Sequence, residues 1–466
     1  MYSMTPAFAL LRHPLVLLPQ AARCKSPQGC LLIAHEGGMS FHTLSQFTAT
    51  IMMQILIYFI LFSNAFLCGR YVAEAESVDI QQAALDAGAY VPEVGRSVRP
   101  GMRVLEREQR DGYECRLVDF AVDDSFYDAG GKKVVGKERV RAYLLVPDGA
   151  SGRDRRPAVV MLHDHGARFD IGKEKLVRPI YGALPFGEND HVALSSRQWI
   201  DKNFDGVYFA DSLAASGYVV LVTDALYWGE RSSDEAQRWS ELTYGSTDQY
   251  SLESDRMLDA KSRKAEIKSL RKSVYEGQRK VYSDLQSRGI IWAEKILRDD
   301  VASVRLLSGL PYVDSDRIGA FGFSMGAHRC WLLAAFCKEV KCGVALSWMT
   351  TLDGYEGNNA SDLSMRIQPM RDRMDFGDIG KYLAPKPMLF LSGETDHLFP
   401  KDKVQKAYDK LQAHYSSCEA DGSDPIRPSD ALRTEFFPGG HHCGKDVQSI
   451  ILQAFGMMLK KQPQDR

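Results

Sequence analysis

From Tyr113 onward, short runs of apolar and β-branched residues alternate with stretches whose apolar positions recur every three or four residues. Runs of the first kind predict strands and those of the second predict helices. "YECRLVDFAV" and "RVRAYLLVPDG" read as two leading strands. "PAVVMLHDHG", "YVVLVTDALYWGER", "RIGAFGFSMG", "CGVALSWM", "KPMLFLSGETD" and "RTEFFPGGHH" follow as further strands with their closing loops. Several are apolar almost throughout, as strands covered by helices on both faces must be. The pattern predicts an α/β fold with a mostly parallel central sheet of about eight strands flanked by helices. Reacting groups in such sheets gather beyond the carboxyl ends of the strands, so the polar residues closing each run deserve inspection.

Between "WGER" and the next strand the chain turns strongly charged, over residues 232–287. Ile267, Leu270, Val274, Val281 and Leu285 recur there at helical spacing, with Lys, Arg and Glu between them. An amphipathic helical insertion packed on the rim is expected, placed to serve also as a cleft wall.

The front of the chain has a different pattern. "IMMQILIYFILFSNAFLCGRYVAEAES" is apolar from Ile51 to Cys68 apart from Gln54 and Ser63-Asn64. Its unbroken core is shorter than the roughly 20 apolar residues of a spanning helix. Ala73-Glu74-Ala75 then supplies the small-x-small pattern of a signal-peptidase site. Residues 1–75 are therefore expected to be a leader: an upstream extension, then a signal peptide starting at Met52 or Met53 and cut after Ala75. On this reading residues 76–466 form the working domain, outside the cytoplasm and without stable membrane insertion. No Lys or Arg lies between Lys25 and Arg70, so the positive start of a signal peptide is missing. An uncleaved apolar anchor is the alternative.

Composition changes little in this picture. The 466 residues are 45% hydrophobic and 25% charged, ordinary values for a globular protein with a large core. A net charge of −2 without a long basic run argues against an electrostatic grip on nucleic acid. Nine cysteines are present, with Cys24, Cys30 and Cys68 in the leader. Cys115, Cys330, Cys337, Cys342, Cys418 and Cys443 are irregularly spaced and are expected as buried free thiols.

The informative stretch is "GAFGFSMGAHRC". Gly322-Phe323-Ser324-Met325-Gly326 fits G-x-S-x-G where an apolar strand meets a helical run, the context a nucleophile elbow requires. The glycines allow strand and helix to approach closely, the turn projects the Ser324 hydroxyl, and the Met325 N–H becomes one oxyanion donor. A serine needs a base, and the base needs an orienting acid. This architecture places them in the order Ser, Asp or Glu, His. Asp396 in "SGETDHLFP" lies just past a strand, while Glu394 sits closer to the strand end as a loop residue. "FFPGGHH" supplies the imidazole, and the residues alone leave His441 and His442 both open. The second oxyanion donor is expected after an earlier strand, in His163-Asp164-His165-Gly166, as the N–H of His165 or else Gly166. Metal ligation by His163, Asp164 and His165 is the competing reading. Alternating residues of an extended chain point opposite ways and no second cluster accompanies them, so no metal and no cofactor is expected. Trp228 and Trp348 close strands, and either wall a substrate pocket or pack at the core edge. Glu230 and Arg231 read as a structural ion pair; Lys173, Glu174 and Lys175 read as anchors for the loop after "HDHG".

Taken in order, "LHDHG…GKEK", "DALYWGER", "DRIGAFGFSMGAHR", "SGETDHLFP" and "PGGHH" resemble the dienelactone-hydrolase and acetyl-xylan-esterase-like branch of the α/β-hydrolase superfamily, from Tyr113 to the C-terminus. In this chain Ser324 stands where dienelactone hydrolases carry a cysteine, and Asp164 replaces the usual glycine after the first histidine. The resemblance implies a serine carboxylesterase acting on a small-molecule or carbohydrate ester, such as an acetyl, other acyl or uronyl ester. It also implies His441, directly after the glycines, as the base, which leaves His442 as a neighbour of the base or a pocket wall. A peptidase of the prolyl-oligopeptidase kind is the enzymatic alternative, although fewer than fifty residues separate Ala75 from the first strand. A catalytically inactive binding module on the same fold is the other.

Overall fold

The computed structural model describes Pro92 and residues 101–127, 133–246, 259–355, 362–418 and 428–460. The chain divides into two units, Met1–Tyr71 and Val72–Arg466, and every described residue belongs to the second. The expected leader, residues 1–75, therefore lies outside the described residues. Among the described residues no helix is long and apolar enough to cross a membrane.

Nine strands form the main sheet among these residues. They are β1 (Met102–Arg110), β2 (Tyr113–Asp123), β3 (Lys137–Pro147), β4 (Arg156–Leu162), β5 (Val219–Thr223), β6 (Val313–Phe323), β7 (Cys342–Leu346), β8 (Met388–Gly393) and β9 (Leu432–Phe437). Their order across the sheet is β1-β2-β3-β5-β4-β6-β7-β8-β9. The first three strands run antiparallel to their neighbours, and β3 also meets β5 antiparallel. From β5 to β9 every pairing is parallel. The chain reverses its direction of travel across the sheet between β4 and β5, which opens a crevice at the carboxyl ends of β4 and β6.

The strand missing from the sequence pattern is β1. Its residues, MRVLEREQR, are charged and mostly exposed, so no apolar run announces it. It is held by its register with β2 and by charges across the pair: Arg107 donates to Glu114 at 2.9 Å, and Arg103 is bound to Asp119. A charged edge of this kind also discourages pairing with a second chain.

The central strands divide their side chains between two cores. Val160 and Leu162 of β4 face one layer, and Val159 and Met161 face the other. The first layer is built by α4 (Ala260–Ser287), α5 (Trp292–Ser308), α6 (Met325–Phe336) and α7 (Lys401–Ser417). The second is built by α1 (His191–Asn203), α2 (Phe209–Ala215) and α8 (Lys445–Met458). The expected insertion at 232–287 is helical, consisting of α3 (Asp234–Tyr244) and the 28-residue α4. Val274 and Leu285 are buried on its inner stripe, with Leu270 and Val281 half-buried beside them. Asp259 caps α4 by accepting from the Ser262 N–H at 2.8 Å.

Glu230 and Arg231 do not pair with each other. Arg231 reaches Glu138 at 2.8 Å and Asp299 at 2.9 Å, while Glu230 binds Lys173 at 3.1 Å and Arg141 at 2.8 Å. Neighbours in a tight helical turn point apart, so each finds its counter-ion on another element.

Candidate active site

β6 ends at Phe323 and α6 begins at Met325, leaving Ser324 alone at the junction. Its backbone has φ 55° and ψ −123°, a strained conformation for any residue with a side chain. The Ser324 N–H donates to the Leu346 carbonyl at 2.8 Å, tying the turn to β7. The flanking glycines are required by contact as well as by sequence. A Cβ on Gly322 would overlap the Gly326 carbonyl, and one on Gly326 would overlap the Leu162 carbonyl at the end of β4. The helix start is thereby pressed onto the crevice side of the sheet, and the Ser324 side chain stays partly exposed. Met325 opens α6, so its N–H has no partner within the helix, and it finds no acceptor among the described residues.

The loops that carry Asp396 and His441 follow β8 and β9, adjacent parallel strands. Pairing continues past the strand ends: the Glu394 N–H donates to the Phe437 carbonyl at 3.0 Å and the Thr395 N–H to the Gly439 carbonyl at 2.9 Å. Gly393 permits this approach, since a Cβ there would strike the Gly440 carbonyl. The two loops are thus laced together, and the result is a 2.7 Å hydrogen bond between His441 Nδ1 and Asp396 Oδ2. The other carboxylate oxygen of Asp396 accepts from the Leu398 N–H at 2.9 Å, which fixes its rotation. The His441 ring is held between Phe323 and Phe399, at centroid distances of 4.9 and 6.0 Å. Because Nδ1 donates to a carboxylate, Nε2 carries the lone pair and is free to accept a proton.

The rivals at both positions are engaged elsewhere. Glu394 is exposed and paired with Lys401 at 2.9 Å. His442 turns to Asp205, its Nε2 lying 3.1 Å from Oδ1.

The loop after β4 is the most heavily buttressed part of the site. His163 is fully buried, donates from Nδ1 to the Asp164 carbonyl at 2.9 Å and accepts at Nε2 from the Ala225 N–H at 3.0 Å. His165 accepts at Nδ1 from the Ala167 N–H at 3.0 Å, and its Nε2 faces Gln278 of α4 at 3.2 Å. Each imidazole therefore has its one lone pair engaged within the protein. Burial keeps both neutral, holding His163 well below the usual histidine range and His165 down at about 3. The His165 and Gly166 N–H groups find no acceptor among the described residues.

Neither tryptophan faces an open cleft. Trp228 is 0% exposed beneath the "HDHG" loop, where its Nε1 donates to the His165 carbonyl at 3.1 Å. Trp348 is 2% exposed and packs against His328, Phe376 and Phe399. Trp228 packs against Phe169 and Trp292 of α5, and Trp348 against Phe376 of the segment 376–379, so the packed-core alternative describes both.

Sequence reasoning missed several contributors. Phe323, at the end of β6, and Phe399, in the loop that carries Asp396, flank the His441 ring. Gln278 reaches the site from the insertion, and nothing in a helical pattern marks which residue of the buried stripe is polar by design. Arg329, one turn into α6, binds Asp300 of α5 through two bonds of 2.7 and 3.0 Å, both side chains being 1% exposed.

Residues 198–420 match the model of the dienelactone hydrolase family. YtaP of Bacillus subtilis strain 168, whose name classes it provisionally as a hydrolase, is 24% identical over 286 residues, 60% of this chain and 73% of its own. A glucuronoyl esterase from Teredinibacter turnerae T7901 superposes with a TM-score of 0.47 at 12% identity, covering 81% of this chain and 84% of its own. Acetyl xylan esterase 1 from Thermoanaerobacterium sp. JW/SL YS485 superposes with a TM-score of 0.40 at 13% identity, covering 78% and 89%. Likenesses as distant as these two leave the assignment to the sheet order, the elbow and the family match. On those grounds the chain has the α/β-hydrolase fold and is a hydrolase, and over residues 198–420 it is similar to the dienelactone hydrolase family.

Proposed function

We propose that the protein is a serine carboxylesterase working through Ser324, His441 and Asp396. The observation that carries the reading is the 2.7 Å bond from His441 Nδ1 to Asp396, made by loops laced beside a strained serine elbow. In the proposed cycle Ser324 Oγ attacks the ester carbonyl carbon while His441 Nε2 takes its proton. Asp396 keeps the imidazole in the tautomer that can accept, and stabilises the imidazolium that forms. The N–H groups of Met325 and of His165 or Gly166 hold the tetrahedral oxyanion. Collapse passes the proton to the leaving alcohol and leaves an acyl-serine. Water, deprotonated by the same imidazole, then attacks the acyl carbon and releases the acid.

The substrate in this reading is an acetyl, other acyl or uronyl ester on carbohydrate, which rests on the motif resemblance of the loops. The working location is outside the cytoplasm, which rests on the apolar run Ile51–Cys68 and the small-x-small pattern Ala73-Glu74-Ala75 after it. The direct test is p-nitrophenyl acetate hydrolysis by Ser324→Ala, expected to fall by several orders of magnitude. Turnover at the parent rate would sink the proposal. Fluorophosphonate labelling of Ser324 separates an enzyme from an inactive binding module, and acetate release from acetylated sugars tests the substrate class.

A further inference from the structure

The candidate oxyanion donors after β4 are backbone N–H groups, and a backbone N–H points where its peptide plane points. In a trans peptide the C=O and the following N–H lie on opposite sides of the chain. Fixing the Asp164 carbonyl therefore aims the His165 N–H, and fixing the His165 carbonyl aims the Gly166 N–H.

Both carbonyls are held by the same ammonium. Lys175 Nζ donates to the Asp164 oxygen at 2.9 Å and to the His165 oxygen at 2.9 Å. Each oxygen has a further donor: His163 Nδ1 at 2.9 Å for Asp164 and Trp228 Nε1 at 3.1 Å for His165. With the oxygens committed to the protein side, both N–H groups face away from it. The elbow helix abuts this loop: Gly326 packs on the Leu162 and His163 carbonyls, and Arg329 donates to the His163 carbonyl at 3.4 Å.

Lys175 is fully buried, a costly location for an ammonium unless its charge is answered. The answer is Asp164, whose carboxylate lies 3.6 Å away and is itself buried. The Trp199 ring lies beneath the same nitrogen at 5.2 Å. The aspartate that stands in place of the family's glycine thus has a physical use as the counter-charge of the lysine.

We propose that Lys175 is the positioning residue of the oxyanion site, fixing two successive peptide planes so that their N–H groups are aimed before substrate arrives. The proposal rests on the esterase reading above, and its test keeps the two apart. In the full chain, Lys175→Met retains the volume of the side chain and removes its donors. Its kcat on p-nitrophenyl acetate is expected to fall about a hundredfold with KM nearly unchanged, as for loss of an oxyanion-hole donor. Inhibition by phenylboronic acid, whose adduct with a serine is tetrahedral, should weaken in parallel. Ser324 should still be labelled to completion by a fluorophosphonate, only more slowly.

A folded Lys175→Met with the parent kcat, whatever its melting temperature, makes the lysine merely structural and overturns the proposal. Should that variant fail to fold, Trp228→Phe removes one donor from the His165 carbonyl and leaves the lysine in place. It is expected to lower kcat and boronate affinity in the same direction by less, and parent-like values for both would equally overturn the proposal. A Ser324→Ala protein that still turns over fails the esterase reading instead.

Discussion

His441 Nδ1 lies 2.7 Å from Asp396 Oδ2, while the next residue, His442, is turned toward Asp205. Adjacent residues on an extended loop face opposite ways, so only one of the two imidazoles can meet the acid. His441→Ala is expected to lower kcat by about four orders of magnitude. His442→Ala should leave kcat within a few-fold of the parent, because it removes an exposed ion pair. Steady-state hydrolysis by both variants decides between them, and loss of turnover only in the second would refute the assignment.

The acid is tested in the same way against its rival. Asp396→Asn cannot hold the His441 tautomer, and kcat should drop by about 10³- to 10⁴-fold. Glu394→Gln breaks only an exposed pair with Lys401, and activity should stay within about twofold of the parent. Equal losses from the two substitutions would contradict the role of Asp396 as the orienting acid.

Strain at Ser324 makes a prediction about stability rather than rate. At φ 55° and ψ −123° a glycine sits more comfortably than an alanine. Ser324→Gly should therefore be more stable than Ser324→Ala by about 1 kcal/mol, the relief of strain exceeding glycine's greater entropy loss. Urea denaturation of the two inactive variants measures the difference, and a more stable alanine variant would show the elbow to be relaxed.

The buried pair of Arg329 and Asp300 joins the elbow helix to α5. Arg329→Met leaves an uncompensated buried carboxylate and should cost about 3–5 kcal/mol. Arg329→Met combined with Asp300→Leu should recover much of that loss, since no charge then remains unanswered. A double-mutant cycle in denaturant with purely additive costs would argue against the coupling.

Burial holds the His163 and His165 rings neutral. For His165, held down at about 3, protonation requires acid well below the range in which an exposed histidine charges. Ring nitrogen and carbon shifts of both residues should stay constant from about pH 8 to about pH 5 in a histidine-labelled protein. Movement of either set with a midpoint near about 6.5 would mean that the "HDHG" loop is open to solvent.

Much of this architecture is legible in one dimension. Apolar runs at strand length specified the central strands β4, β5, β7 and β8 and the second half of β6, because a strand buried on both faces has no polar position to spare. The strained Gly-Phe-Ser-Met-Gly turn was legible for a similar reason: only glycine fits where strand and helix backbones touch. The charged edge strand β1 was not legible, because its stability comes from register and cross-strand ion pairs rather than from apolar content. Trp228 and Trp348 show the same limit, since a strand-end aromatic reads alike whether a cleft or a helix covers it.

By itself, then, the sequence determined eight of the nine strands, the glycine-flanked elbow, and the placement of Ser324, Asp396 and a histidine pair at successive strand ends, all consequences of local pattern and backbone sterics. Tertiary structure alone decided which imidazole meets Asp396, how the charges around residues 138, 230, 231 and 299 pair, and that a lysine from "GKEK" grips two carbonyls of "HDHG". Those contacts depend on distances in the folded chain that no local periodicity encodes, even for Lys175, which lies only ten and eleven residues from the carbonyls it holds.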